Sequence, residues 1–505
     1  MKSSLAVLLV ALIGALALST GCEDEQSPYG SDGDSDGDSD SDTDSDSDTD
    51  SDTDTDSDGD CDPSDPGADS DGDGLSNGFE EENGTNPCNP DSDGDGVSDF
   101  VEWAAGTNPN DPESNPSADG NFYFLEPYGE SPDPTEDTLV FATNIEMADV
   151  FMLTDTTGSM YGEIDNLKSS LSTYIIPQIQ LIIPDVWFGV GYFDDYSYGS
   201  YGYTPDVPFG LLQMMTSDAT AAQTAVNLMP ENNGADWAES DVPALWSTAT
   251  GLGLGGYLAD QTLCPAEYIG YPCFRPGAVP IIILITDAPF HNGPGGYDTY
   301  AGVSPTPPDY ATTVTALNDI HAKVLSISTS GGTTGDIAYD HAVAIANDTG
   351  AVTDTGPLTI AASSSGTGIG DNVVNAVALL ANGVPMDMSV VARDDTTDAV
   401  DATVFIDRIV PNTVGGVEDP LDSTIICVGG LATANDDDDP YPDKFIDVLP
   451  GTPVCFDIIP AMNNSVPPAA VPMIYMAYVD VVGDDVTVLD TREVYFLVPP
   501  TGVIE

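Results

Sequence analysis

The chain is predicted to be an α/β protein: a doubly wound, mostly parallel sheet, followed by an all-β sandwich and preceded by a disordered acidic N-terminal stalk. Three observations predict this. Over residues 139–385, apolar strand-like runs alternate with helix-like runs, the pattern of a parallel sheet wrapped by helices. One run, VPIIILITD at 279–287, shows no polar alternation, as a strand covered on both faces requires. From residue 386 the helical period stops, and short runs divided by Pro, Gly, Asn and Asp take over to 505. A length of 505 residues accommodates two or three domains with linkers.

The elements follow in order. ADVFMLT (148–154) reads as a buried strand. GEIDNLKSSLSTYIIPQI reads as an amphipathic helix with Ile164, Leu167, Leu171 and Ile175 on one face. DVWFGVGYF is a strand, and TSDATAAQTAVNLM and SDVPALWSTATG are helices, the first capped by Ser217 or Asp218. After the central strand at 279–287 come the helix YATTVTALNDIHAK, the strand VLSISTS, and the helices GDIAYDHAVAIANDTG and DNVVNAVALLANG. MDMSVVARD, DATVFIDRIVP, TPVCFDIIPA, VPMIYMAYVDVV and TREVYFLVPP are the strand-like runs of the β region.

Charge bounds the partners. The chain has 86 acidic and 8 basic residues. Residues 23–120 contain no Lys or Arg, yet the remainder is also strongly acidic. Such a field repels nucleic acid and attracts cations, so no nucleic-acid partner is expected. Residues 22–60 alternate Ser, Thr or Gly with Asp. They hold nothing to bury, and like charges keep them extended as a tether reaching up to roughly 120 Å.

At the N-terminus, Lys2 precedes the apolar run LAVLLVALIGALAL and then LSTGC, ending at Cys22. This resembles a bacterial lipoprotein signal, although Ser19 stands where such signals usually have Leu. The resemblance implies that residues 1–21 are removed, that Cys22 is lipidated, and that the chain is anchored in the cell envelope, at the outer membrane or cell surface. The run is shorter than the ~20 residues a membrane-spanning helix needs. The other six cysteines form three local couples, which suggests the disulfides Cys61–Cys88, Cys264–Cys273 and Cys427–Cys455 in an exported chain.

Within residues 61–115, DSDGDGLSNGFE (69–80) recurs as DSDGDGVSDFVE (91–102), each copy followed by GTNP. Oxygen-bearing side chains at positions 1, 3, 5, 9 and 12, with Gly at 6, fit a calcium loop. The Ca2+ ligands would be Asp69, Asp71, Asp73, Asn77 and Glu80, then Asp91, Asp93, Asp95, Asp99 and Glu102, with the carbonyls of Leu75 and Val97 at position 7. Prolines break the segment, so the flanking helices of an EF-hand are not expected. The segment resembles thrombospondin type 3 repeats.

The motif richest in chemistry is DTTGSM (155–160), which leaves the first predicted strand. It sets Asp155, Thr157 and Ser159 on one turn. LITDAPFH places Asp287 at the end of the central strand, and GADWAES (234–240) offers Asp236 and Glu239 on a loop entering a helix. Open α/β sheets bind ligands beyond the carboxyl ends of their strands. Carboxylates and hydroxyls grouped there suit a hard divalent cation. The set resembles the von Willebrand factor A domain and its metal-ion-dependent adhesion site. That likeness implies Mg2+ (or Mn2+ or Ca2+) completed by a carboxylate from a protein ligand, with no catalysis. No middle-loop threonine is evident; GADWAES is similar to the integrin β-subunit version, which leaves the fourth ligand open between Glu239 and Asp236.

Blander readings apply to the neighbours. Asp155 and Ser159 could cap a helix. Glu163 and Asp165 suit a helix N-terminus, Asp194 and Asp195 a turn, and His291 a loop rim. Besides adhesion, two other classes remain: a structural or envelope-assembly module whose metals only stabilise the fold, and a metal-dependent hydrolase using Ser159, His291 and Asp287. No GxSxG elbow supports the last.

Overall fold

The computed structural model describes residues 61–500, apart from 119, 233, 437, 438, 470 and 471. The signal segment, Cys22 and the tether to residue 60 lie outside the described residues. Asp60–Glu505 is one unit. Among the described residues, no helix is long and apolar enough to cross a membrane.

The α/β sheet has six strands in the order Thr359–Ala361, Lys323–Ser328, Val279–Thr286, Met147–Asp155, Asp185–Phe193 and Gly210–Thr216. All are parallel except the last. Alternate residues of the strand at 147–155 enter different cores, as its period of two dictates. Val150 and Met152 meet Ile164, Leu167, Leu171, Val373 and Val377 on one face. Phe151 and Leu153 meet Val242, Leu245 and Leu317 on the other. Both faces being covered explains the absence of polar alternation. Gly191 on the neighbouring strand is required by Phe151: a Cβ there would lie 2.4 Å from its Cζ.

The chain leaves the strand at 147–155 in one direction, to 185–193 and 210–216. It then returns to the other side for 279–286, 323–328 and 359–361. This reversal opens a crevice between the carboxyl ends of Met147–Asp155 and Val279–Thr286, where Asp155 and Asp287 emerge.

The C-terminal region is β-rich, with a six-stranded and a three-stranded sheet. The first runs Phe122–Leu125, Thr487–Val498, Met473–Gly483, Met386–Asp394, Lys444–Val448, Thr433–Ala434; the second runs Ile406–Pro411, Val454–Pro460, Asp137–Phe141. Phe445 and Phe456 join them, ring centroids 5.2 Å apart. The region is therefore not drawn from 386–505 alone. Residues 122–125 run parallel to 494–497, and 137–141 pair with 454–458. The runs FYFL and DTLVF are too short to announce such distant partners.

Residues 61–112 also differ from expectation in one respect. Each acidic loop is followed by a seven-residue helix, Asn77–Asn83 and Asp99–Ala105, capped by Ser76 and Ser98 and closed by left-handed Gly84 and Gly106. The prolines at 63, 66, 87, 90, 109 and 112 all fall outside these helices, so an exit helix survives on each loop. Leu75, Val97, Phe100 and Val101 pack with Leu497, docking the repeats on the six-stranded sheet.

All seven bases among the described residues are ion-paired. Lys323 meets Asp484 at 2.9 Å, tying the α/β sheet to the β region. Arg275 is the most committed. Nε donates to Asp149 at 2.7 Å, Nη1 donates to Asp185, Nη2 donates to the carbonyls of Ala148 and Asp185, and the guanidinium lies 4.5 Å over Trp187. Burial lifts the Asp149 carboxyl to about 6 even so. Arg275→Met would leave that carboxylate buried without its cation and should cost about 3–5 kcal/mol in chemical denaturation.

Candidate metal centre

The turn after the strand at 147–155 is held by its own first aspartate. Thr157 donates to Asp155 Oδ1 through its backbone N–H at 2.9 Å and its hydroxyl at 2.7 Å. Thr286, at the end of the adjacent strand, donates to Asp155 Oδ2 at 2.9 Å. Ser159 donates to Asp287 Oδ1 at 2.9 Å. Five residues of DTTGSM and LITD are thus brought together across the crevice.

Glu239 forms the third wall. Its N–H donates to the Pro289 carbonyl at 3.0 Å, and its carbonyl accepts from His291 N–H at 2.8 Å, which lays the loop along residues 289–291. Gly234 has φ +64°, and a Cβ there would stand 2.8 Å from Glu239 Oε1 and 3.3 Å from Thr157 Cγ2. The Glu239 carboxylate therefore lies beside Thr157. Asp236 is not brought to this group. It turns to His291 Nε2 at 3.4 Å instead.

The electrostatics are one-sided. Glu239 Oε2 and both oxygens of Asp241 are buried and accept no hydrogen bond. Burial, then the charge of Asp287, pushes the Asp155 carboxyl to about 7. Burial, then Asp155, drives Glu239 and Asp241 well above the usual carboxylate range. Buried carboxylate oxygens without partners are costly, and every described base is engaged elsewhere. The donor set of carboxylates and hydroxyls fits a hard divalent cation. Asp155, Thr157, Ser159, Glu239 and Asp287 would hold it, with Ser159 at the exposed side.

Sequence reasoning missed Asp241 and Thr286. Asp241 stands two residues past Glu239, heading the otherwise uncharged helix Asp241–Thr250. A charge at the start of a helix that is buried almost throughout was the available signal. Asp194, expected in a turn, accepts from Thr156 Oγ1 at 2.7 Å and Asn232 Nδ2 at 2.7 Å, bracing the turn from beneath. His291 is not at a rim but wholly buried, against Asp195 and beneath Tyr201 and Tyr300. Burial opposes its charging, but the neighbouring Asp195 carboxylate outweighs this and lifts the imidazole to about 9. Of the three hydrolase residues, Ser159 donates to Asp287, whereas His291 Nε2 faces Asp195 and Asp236. Glu163, at a helix start as its position suggested, leaves Oε2 buried without a partner.

In the repeats, Asp69, Asp71 and Asp73 bring carboxylate oxygens within 4.8 Å of one another, as do Asp91, Asp93 and Asp95. Glu80 and Glu102 are buried with both oxygens unpartnered, and burial, then the neighbouring aspartates, raises each to about 8. These acidic groups are suited to cations. Asn77 and Asp99 instead close their loops: Asn77 Oδ1 accepts from Ser70 N–H at 3.0 Å, and Asp99 accepts from Ser92 N–H and Oγ at 2.8 and 2.7 Å. The cysteines are joined as Cys61–Cys88, Cys264–Cys273 and Cys427–Cys455.

Residues 69–90 and 91–112 match the bacterial TSP3 repeat. Among solved structures, the chain is similar to a von Willebrand factor type A protein from Catenulispora acidiphila, at 13% identity and TM-score 0.32, over 75% of this chain and 72% of that one. It is also similar to the pilus adhesin SpaC from Lactobacillus rhamnosus GG. The open conformation overlaps at 11% identity and TM-score 0.29, over 69% of this chain and 45% of that one; a second form gives 10%, 0.31, 75% and 47%. The chain thus spans less than half of the adhesin's length. No curated protein matches. By its own sheet order and crevice residues, the α/β domain is von Willebrand factor A-like, and residues 69–112 are bacterial TSP3 repeats.

Proposed function

We propose that this chain is an adhesion-type surface protein that binds a protein ligand through a divalent metal, and that it is not an enzyme. The observation that carries this is the crevice itself: Asp155, Thr157, Ser159, Glu239 and Asp287 converge there, with buried oxygens left without partners. Mg2+, Mn2+ or Ca2+ would sit on this set, and a Glu or Asp from the partner would complete the coordination beside exposed Ser159. Ca2+ would occupy the two repeats and stiffen the stalk. Lipid on Cys22 would hold the chain in the bacterial envelope, at the outer membrane or cell surface. The two C-terminal sheets are read as a sandwich that serves as the platform.

The strong acidity of the chain disfavours an acidic partner, so the ligand's key carboxylate should lie in a basic surround. The test is binding of the full chain to candidate surface proteins in Mg2+ and in EDTA, with Asp155→Ala alongside. Capture should fall at least about 100-fold on chelation and in the variant. Capture that survives both would sink the adhesion reading. A melting shift with Mg2+ that is never accompanied by capture would favour the structural-module alternative.

A further inference from the structure

We propose that Asp195, Asp236 and His291 form a second cation site, different in chemistry from the oxygen-only crevice, that takes a transition ion such as Zn2+ or Mn2+ through one imidazole nitrogen and two carboxylates. The three ligand atoms lie within 4.8 Å of one another. His291 Nε2 is 3.2 Å from Asp195 Oδ2 and 3.4 Å from the Asp236 carboxylate. Ligands bound to zinc at tetrahedral angles stand about 3.3 Å apart, given the usual zinc–nitrogen and zinc–oxygen bond lengths.

The surrounding hydrogen bonds orient two of the three ligands, His291 and Asp195. His291 Nδ1 lies 2.7 Å from the Asp298 carbonyl oxygen. A carbonyl only accepts, so Nδ1 carries the hydrogen and Nε2 is the nitrogen offered to the cluster. A backbone carbonyl on the far ring nitrogen is the usual support of a metal-bound histidine. Asp195 Oδ1 is engaged by the Tyr300 hydroxyl at 2.6 Å and by Tyr196 N–H. That leaves Asp195 Oδ2, fully buried, facing His291 without an aligned hydrogen bond. A bound cation would take the place of the proton that the two carboxylates otherwise favour on Nε2. Tyr300 and Tyr201 wall the imidazole at 4.4 and 5.1 Å between centroids. The Asp236 side chain is 32% exposed, which gives the ion an entry and leaves a position for water.

None of these three residues belongs to the adhesion set, so the two proposals fail separately. The test uses the full chain, stripped by chelation and loaded with Mn2+, read by pulsed EPR. Imidazole nitrogen coupling should appear in the wild type, persist in Asp155→Ala, weaken in Asp236→Asn and vanish in His291→Gln. The crevice and the repeats offer only oxygen, and His341 Nδ1 already accepts from Phe290 N–H. Tyr300→Phe, which removes only the support of Asp195, should weaken Zn2+ binding about 10- to 100-fold. Bound Mn2+ with no nitrogen coupling in the wild type overturns the site, as does coupling that is unchanged in His291→Gln. If His291→Gln does not fold, the wild-type spectrum and Asp236→Asn decide.

Discussion

Stripped of divalent cations at pH 8, the repeats will unfold before the rest of the chain, whereas at pH 5 the same stripped protein will keep them folded. Glu80 and Glu102 are wholly buried and titrate at about 8. Burial comes first among the causes, and the charges of Asp71 and Asp93 follow. The folded values lie above the ordinary 4.5. The neutral carboxyls therefore favour folding below the unfolded value, and this support is lost as pH rises through about 8. Allowing for screening near the surface, each repeat should lose roughly 2–4 kcal/mol between pH 5 and 8. Calcium reverses the sign, because ionised oxygens then coordinate a cation instead of repelling each other. Hydrogen exchange across residues 61–115, with and without Ca2+ at the two pH values, checks this. Equal protection in all four conditions would show that the acidic loops take no ion.

Glu239→Gln should do two opposite things: raise the thermal stability of the metal-free protein and lower the affinity of the crevice for Mg2+ at least about tenfold. The substitution removes a buried carboxylate whose Oε2 has no partner and which faces Asp155. The amide adds donors among acceptors. Asp236→Asn should leave Mg2+ affinity in the crevice unchanged, because Asp236 faces His291. Calorimetric titration with Mg2+ on the two variants separates them. If Asp236→Asn lost the ion and Glu239→Gln kept it, the assignment of the crevice wall would be reversed.

The parallel sheet was legible because its central strands are continuous apolar runs, and because alternation with helices has one physical solution. The crevice acids were legible for a related reason: strand ends declare themselves, and Asp155 and Asp287 terminate two of them. Two kinds of feature escaped. Residues 122–125 and 137–141 take partners more than 300 positions away, and nothing in four or five residues encodes that distance. The choice between Glu239 and Asp236 turned on which way a loop lies, and that is set by the backbone pairing of Glu239 with Pro289 and His291. Gly210–Thr216 and Lys444–Val448, each without clean alternation, were also silent as strands.

The two β sheets are assembled from chain on both sides of the α/β domain. That domain hangs from its platform by two covalent connections, entering after Phe141 and leaving before Met386, both at the end of the sheet opposite the crevice. A partner pulling at the crevice would load both connections in parallel and along the strand axes. Each segment would bear part of the force, and no single linker would carry it alone.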